Sequence, residues 1–247
     1  KVWPLINDFN KDIDYKTLFS VRSNRRKLID TLMRDAVSYG YDGINLDFEN
    51  IRNEYSKDFL QFIRELSLEC HKNNIVLSTD NYKPEAYNKF YNLKEQSSYV
   101  DYVVVMAYDE HYAGSEAGSV ASLPFVREAV SDTIDMVPSK QVIVGIPFFT
   151  RIWSISGQTT TSRAVGMHAA IDELNADGKT APWNEDAGQY VSSYDKNGVT
   201  KKTWFEEDKS IEKKLKVISE YDTAGVAAWK LGLEKASVWN VISRYIN

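Results

Sequence analysis

The stretch Tyr41-Asp42-Gly43-Ile44-Asn45-Leu46-Asp47-Phe48-Glu49-Asn50 decides how this chain folds, because it combines a buried strand with a row of polar side chains. Side chains alternate between the two faces of a strand. One face therefore carries three polar residues, Asn45, Asp47 and Glu49. The other carries three apolar residues, Ile44, Leu46 and Phe48. Burial of two carboxyl groups is costly unless they have partners, so this strand holds the leading candidates for chemistry.

Apolar runs and segments of helical periodicity alternate on both sides of this stretch. Six runs are predicted to be strands: Val2–Asn7, Gly43–Phe48, Ile75–Ser78, Val100–Tyr108, Gln141–Pro147 and Gly225–Trp229. Four segments are predicted to be helices: Arg26–Gly40, Asp58–Lys72, Leu123–Met136 and Val238–Tyr245. Gly40 is expected to be the C-cap of the first of these helices. This alternation is typical of parallel strands joined by helical crossovers.

The last interval between strands is too long for a single strand–helix unit. We predict an inserted α+β subdomain over residues 148–223, while residues 1–147 and 224–247 form the main domain. The insertion has three short antiparallel strands, predicted at Thr150–Ser156, Gln189–Tyr194 and Thr203–Phe205. Within it, Glu206 and Glu207 are expected to be solvated.

Two architectures fit the main domain, an open doubly wound sheet and a (β/α)₈ TIM barrel. An open sheet calls for a glycine-rich phosphate loop after the first strand, and the sequence has none there. We therefore predict the barrel, with its first two strands expected to precede Lys1. In such a barrel, the polar face of the 43–48 strand points inward and approaches the C-terminal mouth, where catalytic groups lie.

Composition excludes several functional classes. The 247 residues include 30 Lys and Arg against 35 Asp and Glu, a net charge of −5 that argues against a nucleic-acid partner. A single cysteine, Cys70, excludes an internal disulfide. The longest apolar runs are far too short to span a bilayer.

The carboxylate strand has three interpretations. It is a polar cluster used only in packing, a Mg²⁺ site made of Asp and Glu, or an acid catalyst. The three histidines, His71, His111 and His168, lack the spacing of metal ligands. In the third interpretation Glu49 is the acid, and the negative charge of Asp47 raises the pKa of Glu49.

The residues from Asp42 to Glu49 resemble the DxxDxDxE signature of family 18 glycoside hydrolases, the chitinase-like barrels. Val105-Met106-Ala107-Tyr108-Asp109 resembles the MxYD segment of that family, and Ala228-Trp229 matches the tryptophan beneath its sugar site. Five further segments are similar to the bacterial spore and cell-wall branch: Asp109–His111, Gly118–Pro124, Gly145–Arg151, Thr203–Glu207 and Trp229–Glu234.

The resemblance implies a retaining glycosidase that cleaves β-1,4 bonds next to N-acetylglucosamine in chitin or peptidoglycan-type glycans. The 2-acetamido oxygen of the substrate would act as the nucleophile, so no cofactor or metal is expected. Glu49 would be the acid, Asp47 would orient the acetamido group, and Tyr108 would donate to the acetamide oxygen. Asn45, Met106, Asp109 and Trp229 are the further substrate-binding candidates by this resemblance.

Two more side chains are candidates by their position alone. Arg151 follows a predicted strand and is expected to pair with a carboxylate or with substrate. Tyr82 follows another strand and is expected either to touch substrate or to cap its loop.

Asn45 departs from the signature, which has Asp at that position. An amide cannot share a proton with Asp47, but it can donate hydrogen bonds to it. We therefore predict that Asn45 keeps Asp47 ionised, and that the site works with an altered pH dependence.

Two other functions stay open. One is a catalytically weak or inactive carbohydrate-binding protein, and the other is a Mg²⁺-dependent barrel enzyme acting on a phosphorylated substrate. The resemblance also implies action outside a bacterial cell, at the wall or the spore, with companion wall-binding domains outside this stretch of sequence.

Overall fold

The computed structural model describes residues 1–10 and 12–245. These residues form two compact units. The first consists of Lys1–Val105 with Asp132–Ile143, and the second of Met106–Ser131 with the chain from Val144 onward.

The first unit is built of strands that alternate with helices. In chain order its elements are β1 (Leu5–Asn7), α1 (Arg22–Tyr39), β2 (Gly43–Asp47), α2 (Ser56–Lys72), β3 (Val76–Tyr82), the short α3 (Leu93–Gln96) and β4 (Tyr102–Met106). The strands lie side by side in the order β1-β2-β3-β4. β2 pairs in parallel with β1 and with β3, which confirms the predicted crossover topology for these strands.

The two faces of β2 are used as the sequence predicts. Ile44 and Leu46 are buried, and Phe48 lies 5.3 Å from Phe59 of α2, measured between ring centroids. The apolar face therefore packs on a helix. At the end of α1, Gly40 adopts the left-handed conformation with φ of 66°, which confirms its predicted role as a C-cap.

The first two positions of the 42–49 stretch join β2 to the chain before β1. The Asp42 carboxylate accepts a hydrogen bond from the Val2 amide at 2.6 Å. The Trp3 ring lies so close to Gly43 that a Cβ there would come within 2.7 Å of it. Asp42 and Gly43 are thus explained by packing and not by chemistry.

The second unit contains an antiparallel sheet. In chain order the remaining elements are α4 (Leu123–Ile134), β5 (Val142–Pro147), β6 (Phe149–Ser156), β7 (Thr159–Gly166), α5 (Met167–Ala176), β8 (Trp183–Asn184), β9 (Gln189–Lys196), β10 (Val199–Phe205), α6 (Asp208–Ser219), β11 (Gly225–Trp229) and α7 (Val238–Ile242). β5 neighbours β11, and the five-stranded sheet has the order β7-β6-β10-β9-β8. The three antiparallel strands predicted for the insertion are confirmed as β6, β9 and β10.

The prediction for Glu206 is wrong. Glu206 is fully buried and pairs with Lys214 of α6, whose Nζ lies 2.8 Å from Oε1. Ser210 and Gln189 donate further hydrogen bonds to the same carboxylate, at 2.8 and 2.7 Å. Four donated bonds satisfy the buried charge, so Glu206 anchors α6 to the sheet.

The helices of the described residues include none long and apolar enough to cross a membrane.

Candidate active site

The polar faces of β2 and β3 form one continuous surface. The strand register places Asn45 opposite Ser78. Because side chains alternate along a strand, Asp47 and Glu49 extend the same face beyond Asn45, and Asp80 and Tyr82 extend it beyond Ser78. The structure thus brings together six side chains that can exchange protons or hydrogen bonds.

Glu49 lies just past the end of β2 and is held from two sides. Its backbone N–H donates to the Asp8 carboxylate at 3.0 Å, and the hydroxyl group of Tyr82 donates to its own carboxylate. Tyr82 therefore contacts the predicted acid. The sequence predicted only that Tyr82 touches substrate or caps its loop. Glu49 is half-buried.

Asp8 joins the end of β1 to the end of β2. Its buried carboxylate accepts from the backbone amides of Glu49 and Asn50, at 3.0 and 2.8 Å, and from the Tyr15 hydroxyl at 2.8 Å. The side-chain amide of Asn50 donates to it as well, at 3.1 Å. Sequence reasoning missed Asp8, and the one signal was an Asp directly after a predicted strand.

Asp47 is 3% exposed, and its Oδ1 has no hydrogen-bond partner among the described residues. Burial raises the pKa of Asp47 to about 7, and the negative charges of Glu49, Asp80 and Asp8 add to the shift. Near neutral pH, Asp47 is therefore poised between its protonated and ionised forms.

The predicted contact from Asn45 to Asp47 is wrong. The Ser78 hydroxyl donates to Oδ1 of Asn45 at 2.5 Å, so the amide nitrogen turns the other way and donates to Oδ2 of Asp80 at 2.9 Å. Asn45 thus supports Asp80. The support that Asn45 was expected to give to the ionised form of Asp47 is therefore absent, and burial raises the pKa of Asp47 to about 7.

Asp80 is a carboxyl group that sequence reasoning missed. Its Oδ1 is buried and unpartnered within the described part of the chain. Burial raises its pKa to about 7, the Asn45 hydrogen bond opposes the rise, and the charge of Glu49 adds to it. The available signal was the alternation Ser78-Thr79-Asp80-Asn81-Tyr82, which puts Asp80 on the face of Tyr82.

The remaining predicted site residues lie in the second unit. Tyr108 packs edge-on against Phe149, with ring centroids 6.1 Å apart. Met106, at the end of β4, is buried. Trp229 ends β11 and is 39% exposed, and its carbonyl accepts a hydrogen bond from the Phe148 amide at 2.8 Å.

Arg151 pairs with a carboxylate, which was one of its two predicted roles. Its Nη2 lies 3.8 Å from Oδ1 of Asp109, and its side chain is largely buried. Asp109 adopts a left-handed backbone conformation with φ of 59°. Burial raises the pKa of Asp109, while the nearby guanidinium of Arg151 opposes that rise.

No group of three His, Cys, Asp or Glu side chains in residues 1–10 and 12–245 converges in a way that could hold a metal ion.

Residues 1–234 match the family model described as Glycosyl hydrolases family 18. The chain belongs to this family. The match confirms the resemblance drawn from the Asp42–Glu49 motif and the prediction that the protein is a glycosidase.

Individual relatives of this family 18 chain agree with that assignment. The glycosylase YvbX of Bacillus subtilis is 30% identical over 260 residues, which cover 99% of this chain and 74% of that protein. The cortical fragment-lytic enzyme of the same organism is 24% identical over 241 residues, covering 94% of this chain and 56% of that enzyme. The chain thus spans about half the length of the cortical fragment-lytic enzyme.

Solved structures share the fold of this family 18 chain. The spore cortex-lytic enzyme SleL of Bacillus megaterium superimposes with a TM-score of 0.89 at 19% identity, covering all of this chain and 60% of that one. A chitinase from Chromobacterium violaceum gives a TM-score of 0.89 at 20% identity, covering 98% of this chain and 79% of that one.

Proposed function

We propose that this family 18 protein is a retaining glycoside hydrolase that cleaves β-1,4 bonds next to N-acetylglucosamine by substrate-assisted catalysis. The observation that carries the proposal is the way Glu49 is held. Asp8 accepts a hydrogen bond from the backbone N–H of Glu49, and Tyr82 contacts the Glu49 carboxylate. Asp47 precedes Glu49 by two residues and lies on the same face of the strand. A positioned acid beside a second, buried carboxyl group is the minimum that this reaction requires.

In the first step, protonated Glu49 gives its proton to the oxygen of the bond that breaks. The 2-acetamido oxygen of the substrate attacks the anomeric carbon from the other side as that bond breaks, giving a cyclic oxazolinium ion. Glu49 is left as a carboxylate, which accepts the hydrogen bond from Tyr82. The negative charge of Asp47 stabilises the positive intermediate through the acetamido N–H.

In the second step, Glu49 takes a proton from a water molecule that attacks the anomeric carbon. The ring of the intermediate opens, and the acetamido group is regenerated. Glu49 is protonated again, so the protons balance over one turnover. Two inversions at one carbon retain the configuration of the sugar.

The residues of the second unit take supporting roles in this proposal. Tyr108 donates its hydroxyl to the acetamide oxygen, and the exposed part of the Trp229 ring stacks on a sugar. Met106 and Asp109 line the same floor. Arg151, through its pairing with Asp109, holds that carboxylate in place.

Asn45 has a different part in the proposal. Its amide is committed to Ser78 and Asp80, so it supports the site from within the network of β2 and β3.

The proposed substrates are chitin and the glycan strands of peptidoglycan, and the proposed location is outside a bacterial cell, at the wall or the spore. The names of the relatives support this choice, since they include a cortical fragment-lytic enzyme and chitinases. Companion wall-binding domains are part of the proposal. A carbohydrate-binding protein without turnover is the second candidate, favoured by Asn45 in place of the signature Asp.

The test compares the natural protein with Glu49→Gln on chitin oligomers and on peptidoglycan glycan. Release of reducing ends should fall by about 10² or more in the variant while binding persists, because the shape stays and the proton is lost. Glu54→Gln, an exposed position on the following turn, is the matched control. Near-normal hydrolysis by Glu49→Gln would remove Glu49 as the acid, and binding without hydrolysis by the natural protein would favour the second candidate.

The same assay tests the nucleophile. Chelator should leave the rate unchanged, and cellulose-type glucan, which has no acetamido group, should not be cleaved. Proton NMR of fresh product should show the β anomer first. An activity that chelator abolishes and Mg²⁺ restores would instead favour the metal-dependent enzyme.

A further inference from the structure

Asn45 stands where the family signature has Asp, and the neighbouring strand β3 carries a carboxyl group nearby, that of Asp80. Asn45 lies opposite Ser78 in the parallel register of β2 and β3. Two residues further along each strand, on the same face, lie Asp47 on β2 and Asp80 on β3. The two strands therefore place two carboxyl groups side by side, one step closer to Glu49 than the amide of Asn45.

The orientation of Asn45 is fixed by its neighbours. Its oxygen accepts from Ser78 at 2.5 Å, so its nitrogen faces Oδ2 of Asp80, at 2.9 Å. An amide nitrogen donates hydrogen bonds but cannot take up a proton. Asn45 thus holds Asp80 in place and leaves the exchange of protons to the carboxyl groups.

Both carboxyl groups keep one oxygen buried and without a hydrogen-bond partner among the described residues, Oδ1 of Asp47 and Oδ1 of Asp80. A buried acceptor left unpaired is costly, and two buried charges of the same sign are more costly still. The cost falls if the two groups carry one proton between them.

We propose that Asp80 is the proton-holding partner of Asp47, supplied by β3 in place of the Asp that β2 lacks at position 45. The proposal rests on the hydrolase function above. When an acetamido N–H donates to Asp47, the ionised form of Asp47 is favoured, and the shared proton moves from the carboxyl group of Asp47 to that of Asp80. One O–H bond breaks and one forms, so the charge of the pair does not change. Asp80 is a positioning residue that acts through Asp47.

The electrostatics of the site support this arrangement. The pKa values of Asp47 and Asp80 are both raised to about 7, by burial first. The charge of Glu49 raises both values further, and that of Asp80 raises the value of Asp47. The other ionisable groups near this site in the described part of the first unit include Asp8, which adds to the shift of Asp47, and Tyr82, whose hydroxyl is bound to Glu49. They also include Tyr91, whose hydroxyl bonds to the backbone on either side of Glu49.

The kinetic test uses Asp80→Asn and the double variant Asn45→Asp/Asp80→Asn, which moves the carboxyl group back to β2. In Asp80→Asn, Asp47 loses a like charge, so its pKa falls and it stays ionised to lower pH. The acidic limb of the kcat/KM profile should shift down by about one pH unit, and KM should stay within about a factor of two because Asp80 does not touch the substrate. The double variant should move the limb back up and restore the natural profile.

Asp172→Asn, an exposed position on α5, is the matched control and should keep the natural profile. Superimposable profiles for Asp80→Asn and the natural protein would overturn the proposal. So would a loss of kcat in Asp80→Asn that the double variant does not recover, since that outcome marks a role in folding.

A measurement without turnover separates this proposal from the proposed function. NMR titration of protein labelled with ¹³C at the Asp carboxyl carbons should show two carboxyl groups that follow the same two titration steps, with one step near pH 7. Asp80→Asn should remove one of these signals and lower the pKa of the other. If the pair titrates in this way in a protein that cleaves no glycan, the hydrolase function fails and the coupling stands. If no Asp carboxyl titrates near neutral pH, the coupling itself is wrong.

Discussion

The hydroxyl group of Tyr82, at the end of β3, donates a hydrogen bond to the carboxylate of Glu49, just past the end of β2. The bond links two adjacent parallel strands at the point where the proposed proton donor lies. A donor aimed at a carboxylate favours its ionised form. Tyr82 therefore stabilises Glu49 in the state that follows transfer of its proton to the leaving group.

Tyr82→Phe tests this relationship. A hydrogen bond to a charged group is worth about 1.5–3 kcal/mol, so its loss in the transition state lowers kcat by about 10- to 100-fold. Steady-state kinetics on the substrate that the natural protein cleaves, with a melting curve for each protein, measure the effect. An unchanged kcat in a well-folded Tyr82→Phe protein would exclude Tyr82 from the reaction.

Asp8→Asn should lower both the stability of the protein and its catalytic rate. The side chain of Asp8 accepts four hydrogen bonds, and an amide replaces one accepting oxygen with a donor that faces other donors. We expect the free energy of unfolding to fall by about 1–3 kcal/mol, and kcat to fall because the backbone of Glu49 is no longer fixed. Urea denaturation measures the first and initial rates the second, with exposed Asp12→Asn as control. If the Asp8→Asn and control proteins have the same free energy of unfolding, the four hydrogen bonds to Asp8 contribute little to stability.

How much the sequence predicts depends on how local the signal is. The faces of β2, the helix α2 and the cap at Gly40 were predicted correctly, because each follows from a periodicity or a single residue type within a few positions. β7 was missed because its side chains are polar and mostly exposed, and it is held by backbone pairing with β6 along its whole length.

The candidate site was predicted only on the strand that carries the motif. Asp80 lies beside Asp47 because of the register between β2 and β3, which local sequence patterns do not determine. Asp8 accepts hydrogen bonds from backbone amides forty-one and forty-two positions away in the chain. Glu206 looked solvated because it is charged, and its partner Lys214 reaches it only once α6 has packed.

Glu206→Gln should destabilise the second unit. The substitution leaves the buried ammonium group of Lys214 without its counter-charge, which costs about 3–5 kcal/mol. The double variant Glu206→Gln/Lys214→Met removes both charges and should recover much of that loss. Urea denaturation of the natural protein and both variants measures the difference. A single variant as stable as the natural protein would mean that the pair contributes no net stability.

Asn45→Asp adds a third carboxyl group beside Asp47 and Asp80. The Ser78 hydroxyl can still donate to the new side chain, but the donor to Asp80 is lost and a like charge takes its place. The pKa values of Asp47 and Asp80, already near 7, should rise further. A group whose pKa is raised becomes ionised only at higher pH, so the acidic limb of the kcat/KM profile should move to higher pH, opposite to its movement in Asp80→Asn.

The substrate preference of Asn45→Asp should stay the same, because Asn45 faces Ser78 and Asp80. The measurement is kcat/KM against pH for the natural protein and Asn45→Asp, with exposed Asn240→Asp on α7 as the control. A limb that stays in place, or one that moves down, would show that position 45 is not coupled to the titrating pair.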